Sequence, residues 1–246
     1  MQNPHGFRSA RTGIERLPPG YALPRHQHAE AYATVLLRGA FEQCSYAGRM
    51  RIRTGDVLVQ PTLDCHADRM LSAGLTVLRL PWPREEGCGG VYAGCDVDLI
   101  ARLAERDVAE ASVALREHLA GRPWSPALSE DPADALAAAL MAPEVVAIGD
   151  WAEEAGFARE TMSRGFGRLF GVPPSRFRAD WRARAAWLRI TGGSEPLASI
   201  ADLCGFADQA HMTRAVRRLT GAPPAAWRRE SHSFKTGSGN DGRLAE

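Results

Sequence analysis

No run of apolar residues in this 246-residue chain approaches the roughly 20 needed to cross a bilayer, so no membrane-spanning helix is expected. The first residues, Met1 to Gly6, lack a charged start followed by an apolar core, and no secretory signal is expected. CxxC pairs are absent too. The five cysteines (Cys44, Cys65, Cys88, Cys95, Cys204) are odd in number, which argues against a disulfide framework and for a reducing cytoplasm. Lysine is almost missing: Lys235 is the only one among 30 basic residues. A GC-rich coding bias suffices to produce that, and no function is read from it.

What is present divides unevenly. The hydrophobic fraction of 45% is ordinary for a globular protein, and the length allows two modest domains. Net charge is +1 overall, but residues 1–144 carry 15 Arg against 18 acidic residues, whereas 145–246 carry 14 Arg and 1 Lys against 11. The C-terminal part is therefore the basic one, as phosphate neutralisation requires.

Residues 10–82 read as short strands (Tyr32–Arg38, Met50–Arg53, Val57–Gln60, Leu75–Leu80) punctuated by Gly and Pro, which suggests a small sandwich or barrel. A Gly/Cys-containing loop at 83–95 marks a boundary. From Asp96 to Leu119 the period becomes helical. Asp98 can cap, and Val108, Ala111, Leu115 and Leu119 form a stripe that can pack on the β-domain or pair with a second copy. Residues 124–131 read as a polar linker, and helix returns at Pro132–Met141.

The strongest signal is a near-repeat. Trp151-Ala-Glu-Glu-Ala-Gly-Phe157 precedes a basic segment ending in Arg-Leu-Phe-Gly-Val-Pro-Pro; Ile200-Ala-Asp-Leu-Cys-Gly-Phe206 precedes one ending in Arg-Leu-Thr-Gly-Ala-Pro-Pro. Each copy reads as a helix, a Gly-Phe turn, a basic amphipathic helix and a Gly-x-Pro stop, which is a helix-turn-helix twice over. Met162, Phe166 and Leu169 are expected inside the first, with Phe157 plugging the helix angle. Met212, Val216 and Leu219 are expected inside the second, with Asp208 as N-cap. Arg159, Glu160, Ser163, Arg164 and Arg168 then face outward on one helix, and Gln209, Ala210, Thr213, Arg214, Arg217 and Arg218 on the other. Between them a helix from Pro174, with Phe177, Trp181, Ala185 and Leu188 as its stripe, would be about 24 Å long at 1.5 Å per residue. Such a spacer suits recognition helices about one DNA turn apart.

These residues resemble the AraC/XylS family of bacterial transcription regulators over about 132–229. The resemblance rests on Ala152, Gly156, Met162, Arg164, Phe166, Gly171, Pro174, Arg182 and Ala186 in the first unit. In the second it rests on Ile200, Ala201, Gly205, Phe206, Met212, Arg214, Gly221, Pro224 and Arg228. It implies that Glu160, Ser163 and Arg164, and Gln209, Ala210, Thr213 and Arg214, lie at base-reading or backbone-contacting positions on double-stranded DNA. It also implies a small-molecule effector, a homodimer and RNA polymerase as a further partner. The sequence departs from the family at Ala158, where a Ser cap is usual, at Gly165 and Gly167 inside the first recognition helix, and at Val216 in place of an aromatic.

In the N-terminal half, His26-Gln-His28, Tyr32, Gly39, Gly55, Pro61 and His66 resemble the two motifs of cupins, whose β-barrel often holds a metal. Carried over, His26, His28 and His66 match ligand positions, and Tyr32 stands where a Glu is usual. Leu63 and Met70 replace a Gly and an Asn. His26, His28, Tyr32 and His66 are thus the candidate effector residues. The three histidines are candidate ligands for Zn, Fe, Mn or Ni, although no cofactor is required by the regulator reading. Cys65 and Cys44 could add a thiol, but inert buried thiols are the simpler reading.

The expected fold is α+β: a cupin-like β-barrel at 1–95, a helical connector or dimerisation segment at 96–121, an all-α double helix-turn-helix domain at 132–230, and a disordered tail at 231–246. The expected function is a cytoplasmic, effector-modulated DNA-binding regulator without catalytic residues. Two rivals are a metal-dependent cupin enzyme with a helical appendage, disfavoured by the missing Glu, and a regulator that senses metal or thiol stress.

Overall fold

The computed structural model describes residues 11–20, 22–83, 89–125, 128, 131–142 and 147–237. Residues 84–88, with Cys88, residues 126, 127, 129 and 130 of the linker, and the tail from 238 lie outside that set. The chain divides into two compact units, one ending at Pro174 and the other beginning at Ser175. That division falls inside the segment expected to be one DNA-binding domain.

The first unit opens with nine strands: β1 (Gly13–Leu17), β2 (Ala22–His26), β3 (Tyr32–Arg38), β4 (Ala40–Ser45), β5 (Gly48–Arg53), β6 (Val57–Gln60), β7 (His66–Met70), β8 (Leu75–Pro81) and β9 (Gly90–Tyr92). They form two antiparallel sheets, in the orders β1-β8-β3-β6-β9 and β2-β7-β4-β5. This is jelly-roll order with a ninth strand added at one edge. No ladder joins the sheets among the described residues, so the expected closed barrel is instead an open two-layer sandwich.

Strand alternation divides the side chains between two cores. Leu36, Phe41, Met50, Ile52, Leu58, Leu75 and Val77 fill the space between the sheets. Ala33, Val35, Val57, Val59, Leu78 and Leu80 face the other way, against two helices. The helical segment after β9 is broken at Asp107 into α1 (Val97–Arg106) and α2 (Val108–Leu119). Asp96, not Asp98, caps α1 by accepting from the Leu99 amide, and Asp107 caps α2. Ala111, Leu115 and Leu119 are fully or nearly buried on the sheet. The apolar stripe that could have paired two copies is therefore occupied within the chain.

Gly39 links β3 to β4 at φ 100°, a conformation that disfavours side chains, and an added Cβ would lie 2.4 Å from the Gly74 carbonyl oxygen. Gly39→Ala is expected to cost about 1–3 kcal/mol through that strain alone. A thermal melt within a degree of the parent's would show that the β3–β4 turn relaxes freely.

Ser125 and Leu128 in the linker make isolated bridges to Val91 and Arg49, which tie it to the sheet edges. It leads into α3 (Pro132–Met141), started by an Asp131/Asp134 capping box. Arg49 of β5 holds the same Asp134 bidentately, Nη2–Oδ2 at 2.6 Å and Nε–Oδ1 at 3.1 Å, with both side chains buried. Helices α4 (Ile148–Glu154) and α5 (Arg159–Phe170) complete the unit; α5 packs on α3, α4 and strands β4 and β7.

The second unit contains α6 (Pro174–Gly192), α7 (Leu197–Leu203), α8 (Gln209–Thr220) and α9 (Pro224–Gly237). The buried stripe of α6 is Phe177, Ala183, Ala186, Trp187 and Ile190. Of the anticipated stripe Phe177 is buried, Trp181 and Ala185 are half-buried and Leu188 is exposed, and Trp187 packs edge-to-face with Trp227 instead. Helix α9 runs to Gly237, so the first residues of the expected disordered tail are helical. No described helix is long and apolar enough to cross a membrane.

Candidate functional site

The sequence repeat is repeated in three dimensions, bond for bond. After α4, Gly156 turns at φ 76°, its amide donates to Glu153 O at 2.9 Å, and the Phe157 amide donates to Ala152 O at 2.8 Å. After α7, Gly205 turns at φ 70°, its amide donates to Asp202 O at 2.9 Å, and the Phe206 amide donates to Ala201 O at 2.9 Å. The second helices, α5 and α8, each run 12 residues and end on left-handed glycines, Gly171 at φ 74° and Gly221 at φ 78°. Both units are helix-turn-helix motifs.

The copies differ in firmness. Helix α8 is capped as expected, with Asp208 Oδ1 accepting from the His211 amide at 2.6 Å. Arg182 of α6 braces its turn by donating to Gly205 O at 2.9 Å. Met212, Val216, Leu219 and Phe206 are buried. Helix α5 has no side-chain N-cap and contains Gly165 and Gly167, each costing up to about 1 kcal/mol relative to Ala. Phe157 does not plug the first turn; it is 40% exposed. Phe170, stacked on Phe166 at 4.5 Å, supplies the missing apolar bulk, and Leu169 is only half-buried. Arg25 of β2, which the sequence reading missed, donates from Nη1 to the Phe170 carbonyl at 3.2 Å.

Arg159, Glu160, Arg164 and Arg168 are exposed on α5, and Gln209, Ala210, Arg214, Arg217 and Arg218 on α8; Ser163 and Thr213 are half-exposed. Arg218 lies 3.6 Å from Asp180, which also binds Arg176. For Arg159, Arg164, Arg168, Arg214 and Arg217, no ion pair occurs among the described residues.

In the β-domain, His26, His28 and His66 converge, with one ligand-capable nitrogen from each within 4.8 Å of the others. His26 ends β2, His66 opens β7 opposite it, and His28 lies just past β2, so the first two rings meet beyond the regular strand. His26 Nδ1 lies 2.9 Å from Pro24 O, and His66 Nδ1 lies 2.9 Å from Asp64 O. A carbonyl only accepts, so both bonds put the proton on Nδ1 and the lone pair on Nε2. Gln60 Nε2 also lies 2.9 Å from His66 Nδ1, but the Asp64 carboxylate serves it as an acceptor at the same distance. Tyr32, whose hydroxyl is 3.5 Å from His66 Nε2, completes the assignment by donating there. Burial, then the neighbouring His26, depresses the His66 pKa, so its ring is neutral. A neutral imidazole fixed through Nδ1–H to a backbone carbonyl, as in His66, is in the state a metal requires.

Tyr32, in place of a carboxylate, adds no charge: burial, reinforced by Asp68, raises its pKa and keeps it protonated. Nearby negative charge comes from buried Asp64 and from Asp68, neither anticipated from sequence. The main-chain bend before His66 passes through Leu63 at φ 56°, where the motif has Gly. Its amide donates to His28 O at 3.0 Å, so this strained residue helps place a histidine.

Burial raises the Asp68 pKa to about 6, against the hydrogen bond from Gln43 that lowers it. The folded state therefore holds a proton that the unfolded chain releases near pH 4. The associated stability is present below pH 4 and lost as pH rises through about 6. Asp68→Asn is expected to flatten this decline in denaturant midpoints between pH 4 and 7; equal slopes in both proteins would exclude Asp68 as the titrating group.

The thiol that Cys65 or Cys44 could have added is not found in this cluster. Among the described residues it comprises histidines only, and Cys65 Sγ donates to Gln27 Oε1 at 3.0 Å. Burial raises the Cys44 pKa to about 12, which leaves an inert thiol.

Residues 151–230 match the family model described as a helix-turn-helix domain. An AraC-like transcription regulator of Streptomyces lividans is 29% identical over 82 residues, which is 33% of this chain and 27% of that protein. The chain thus covers about a quarter of that relative's length. Among solved structures, the DNA-binding domain of AdpA in complex with a target DNA aligns at 24% identity and TM-score 0.40, covering 44% of this chain and 98% of that one. ToxT from Vibrio cholerae bound to an unsaturated fatty acid aligns at 11% identity and TM-score 0.37, covering 90% and 97%. Residues 151–230 form a helix-turn-helix domain.

Proposed function

We propose that the chain is a sequence-specific DNA-binding transcription regulator whose affinity for DNA is set by occupancy of the three-histidine end of its β-domain. The observation that carries this reading is the doubled helix-turn-helix, each copy presenting arginines on the outward face of its second helix. Such arginines can neutralise phosphates or bind guanine edges bidentately. The regulator reading assigns no catalytic residue. Selection from a random duplex library with the full chain is expected to enrich one motif, with binding that weakens steeply as salt rises. Recovery of no motif above background would end the assignment.

A metal is the effector that the convergence of the three imidazoles supports. His26, His28 and His66 would hold it, and it would supply a charge that fixes the three rings in one arrangement. Purified protein is then expected to bind one equivalent of Zn(II) and His28→Ala to lose it. Unchanged stoichiometry in that variant would remove the metal from the reading while leaving the DNA assignment in place.

A further inference from the structure

We infer that Arg25 is the positioning residue through which occupancy of the His26–His28–His66 site sets the first recognition helix, α5. This rests on the reading of the three histidines as an effector site.

Two connections converge on Arg25. The first is covalent. Arg25 and His26 are consecutive on β2, where neighbouring side chains point to opposite faces. His26 meets the other two rings, at centroid distances of 5.0 Å from His28 and 4.3 Å from His66. Arg25 reaches the end of α5 instead, donating to Phe170 O at 3.2 Å. The contact is close: a Cβ on Gly171 would lie 3.0 Å from the Cβ of Arg25. The β2–β7 register also shifts between Leu23 and His26, so Arg25 sits at an irregularity that re-aims side chains.

The second connection is a chain of contacts. His66 Nδ1 donates to Asp64 O at 2.9 Å, and the Asp64 carboxylate accepts from the Tyr46 amide at 3.2 Å. The Arg25 guanidinium lies over the Tyr46 ring at 5.3 Å. Two of the three histidines thus bear on one guanidinium, which caps the carbonyl end of α5, where a cation complements the helix dipole. Helix α5 is also the element able to respond. It lacks an N-cap, contains two glycines and leans on β4 and β7. Its capped end is one turn or less from exposed Arg168, and Arg164 lies one turn further on.

A ligand that draws the three rings together moves His26 and, with it, the backbone of Arg25. The cap on Phe170 follows, and the outward arginines of α5 are re-aimed. A coupling of this kind typically changes the second affinity by 5- to 150-fold.

The test uses the full chain, Zn(II) as probe, and a duplex selected as above. Metal affinity is read by calorimetry, DNA affinity with and without metal, and amide exchange at residues 168–171. The wild type is expected to show a metal-dependent change in DNA affinity of about fivefold or more, with altered exchange at the end of α5. Arg25→Met keeps the aliphatic stem and removes the donors. It is expected to bind Zn(II) as the wild type does, with the DNA response reduced to less than about twofold and the exchange change lost. Gly165→Ala provides a separate arm: its Cβ meets nothing within 4 Å, so the fold is retained. By stiffening α5 it is expected to halve the response or more. A full response in Arg25→Met, or an undiminished one in Gly165→Ala, would overturn the coupling. Zn(II) binding without any DNA response in the wild type would overturn it while sparing the site, and no Zn(II) binding at all would overturn both.

Discussion

Asp134→Ala is expected to destabilise the N-terminal unit by about 3–5 kcal/mol, the cost of leaving a buried charge without its partner. The Arg49 side chain is 8% exposed, and its bidentate bonds to Asp134 are what offset the loss of water. Glu42 Oε2 is a second anion near it, at 3.8 Å from Arg49 Nη1. Its carboxylate is shared with Arg51 at 3.6 Å and Arg69 at 2.9 Å, so it cannot take over. The same substitution removes the second half of the α3 capping box, in which Asp134 accepts from the Asp131 amide at 3.1 Å. Asp134→Asn keeps an acceptor for both and should lose less. Replacing both partners, Arg49→Met with Asp134→Leu, should recover most of the loss, because an apolar pair leaves nothing unpaired. Urea unfolding of the single and double variants separates these cases. A single-variant loss below about 1 kcal/mol would mean that water reaches Arg49.

This clamp was invisible in the sequence, for a reason that extends to much of the β-domain. Four strands (β3, β5, β6, β8) were legible as apolar runs. Others were not, because their inward positions are polar. Strand β4 buries Glu42, Gln43 and Ser45, and β7 turns His66 and Asp68 toward the other sheet's polar residues. Alternation of apolar and polar residues locates a strand only when its buried face is apolar. A sandwich that is apolar at one end and polar at the other defeats that rule at the polar end, which is where the candidate site lies. The histidines were readable because their spacing resembles the two cupin motifs. The groups that fix their tautomers, Pro24 O, Asp64 O and Tyr32, depend on backbone paths that no motif specifies.

The helix-turn-helix units were readable because each depends on local rules: a left-handed glycine at the turn, a second at the stop, and a stripe of period 3.6 between them. The differences between the copies come from tertiary packing. Phe206 is buried as its position suggests, whereas Phe157 is exposed and the buried aromatics of the first unit are the stacked Phe166 and Phe170. The identical dipeptide gives no hint of this, and neither does the sequence distance of 145 residues between Arg25 and the carbonyl it caps.

That asymmetry ranks the arginines. Arg214→Ala is expected to weaken binding to a selected duplex by about 5- to 150-fold, as loss of a bidentate base contact does, with the fold intact. The substitution is on an exposed surface, where stability effects stay within about 0.5 kcal/mol. Arg164→Ala is expected to cost less. Helix α8 is preset by the Asp208 cap and the Arg182 brace, so Arg214 meets DNA with little left to order. Helix α5 is uncapped and carries two glycines, so part of the Arg164 contact energy goes to ordering the helix. The two variants also distinguish base from phosphate contacts. A base contact loses affinity for the selected site alone; a phosphate contact loses it on every duplex and lowers the salt slope by about one. If Arg214→Ala binds selected and random duplexes as the parent does, α8 is not a recognition helix. If Arg164→Ala loses as much as Arg214→Ala, α5 is as firmly organised as α8, and the β-domain has no soft helix to act on.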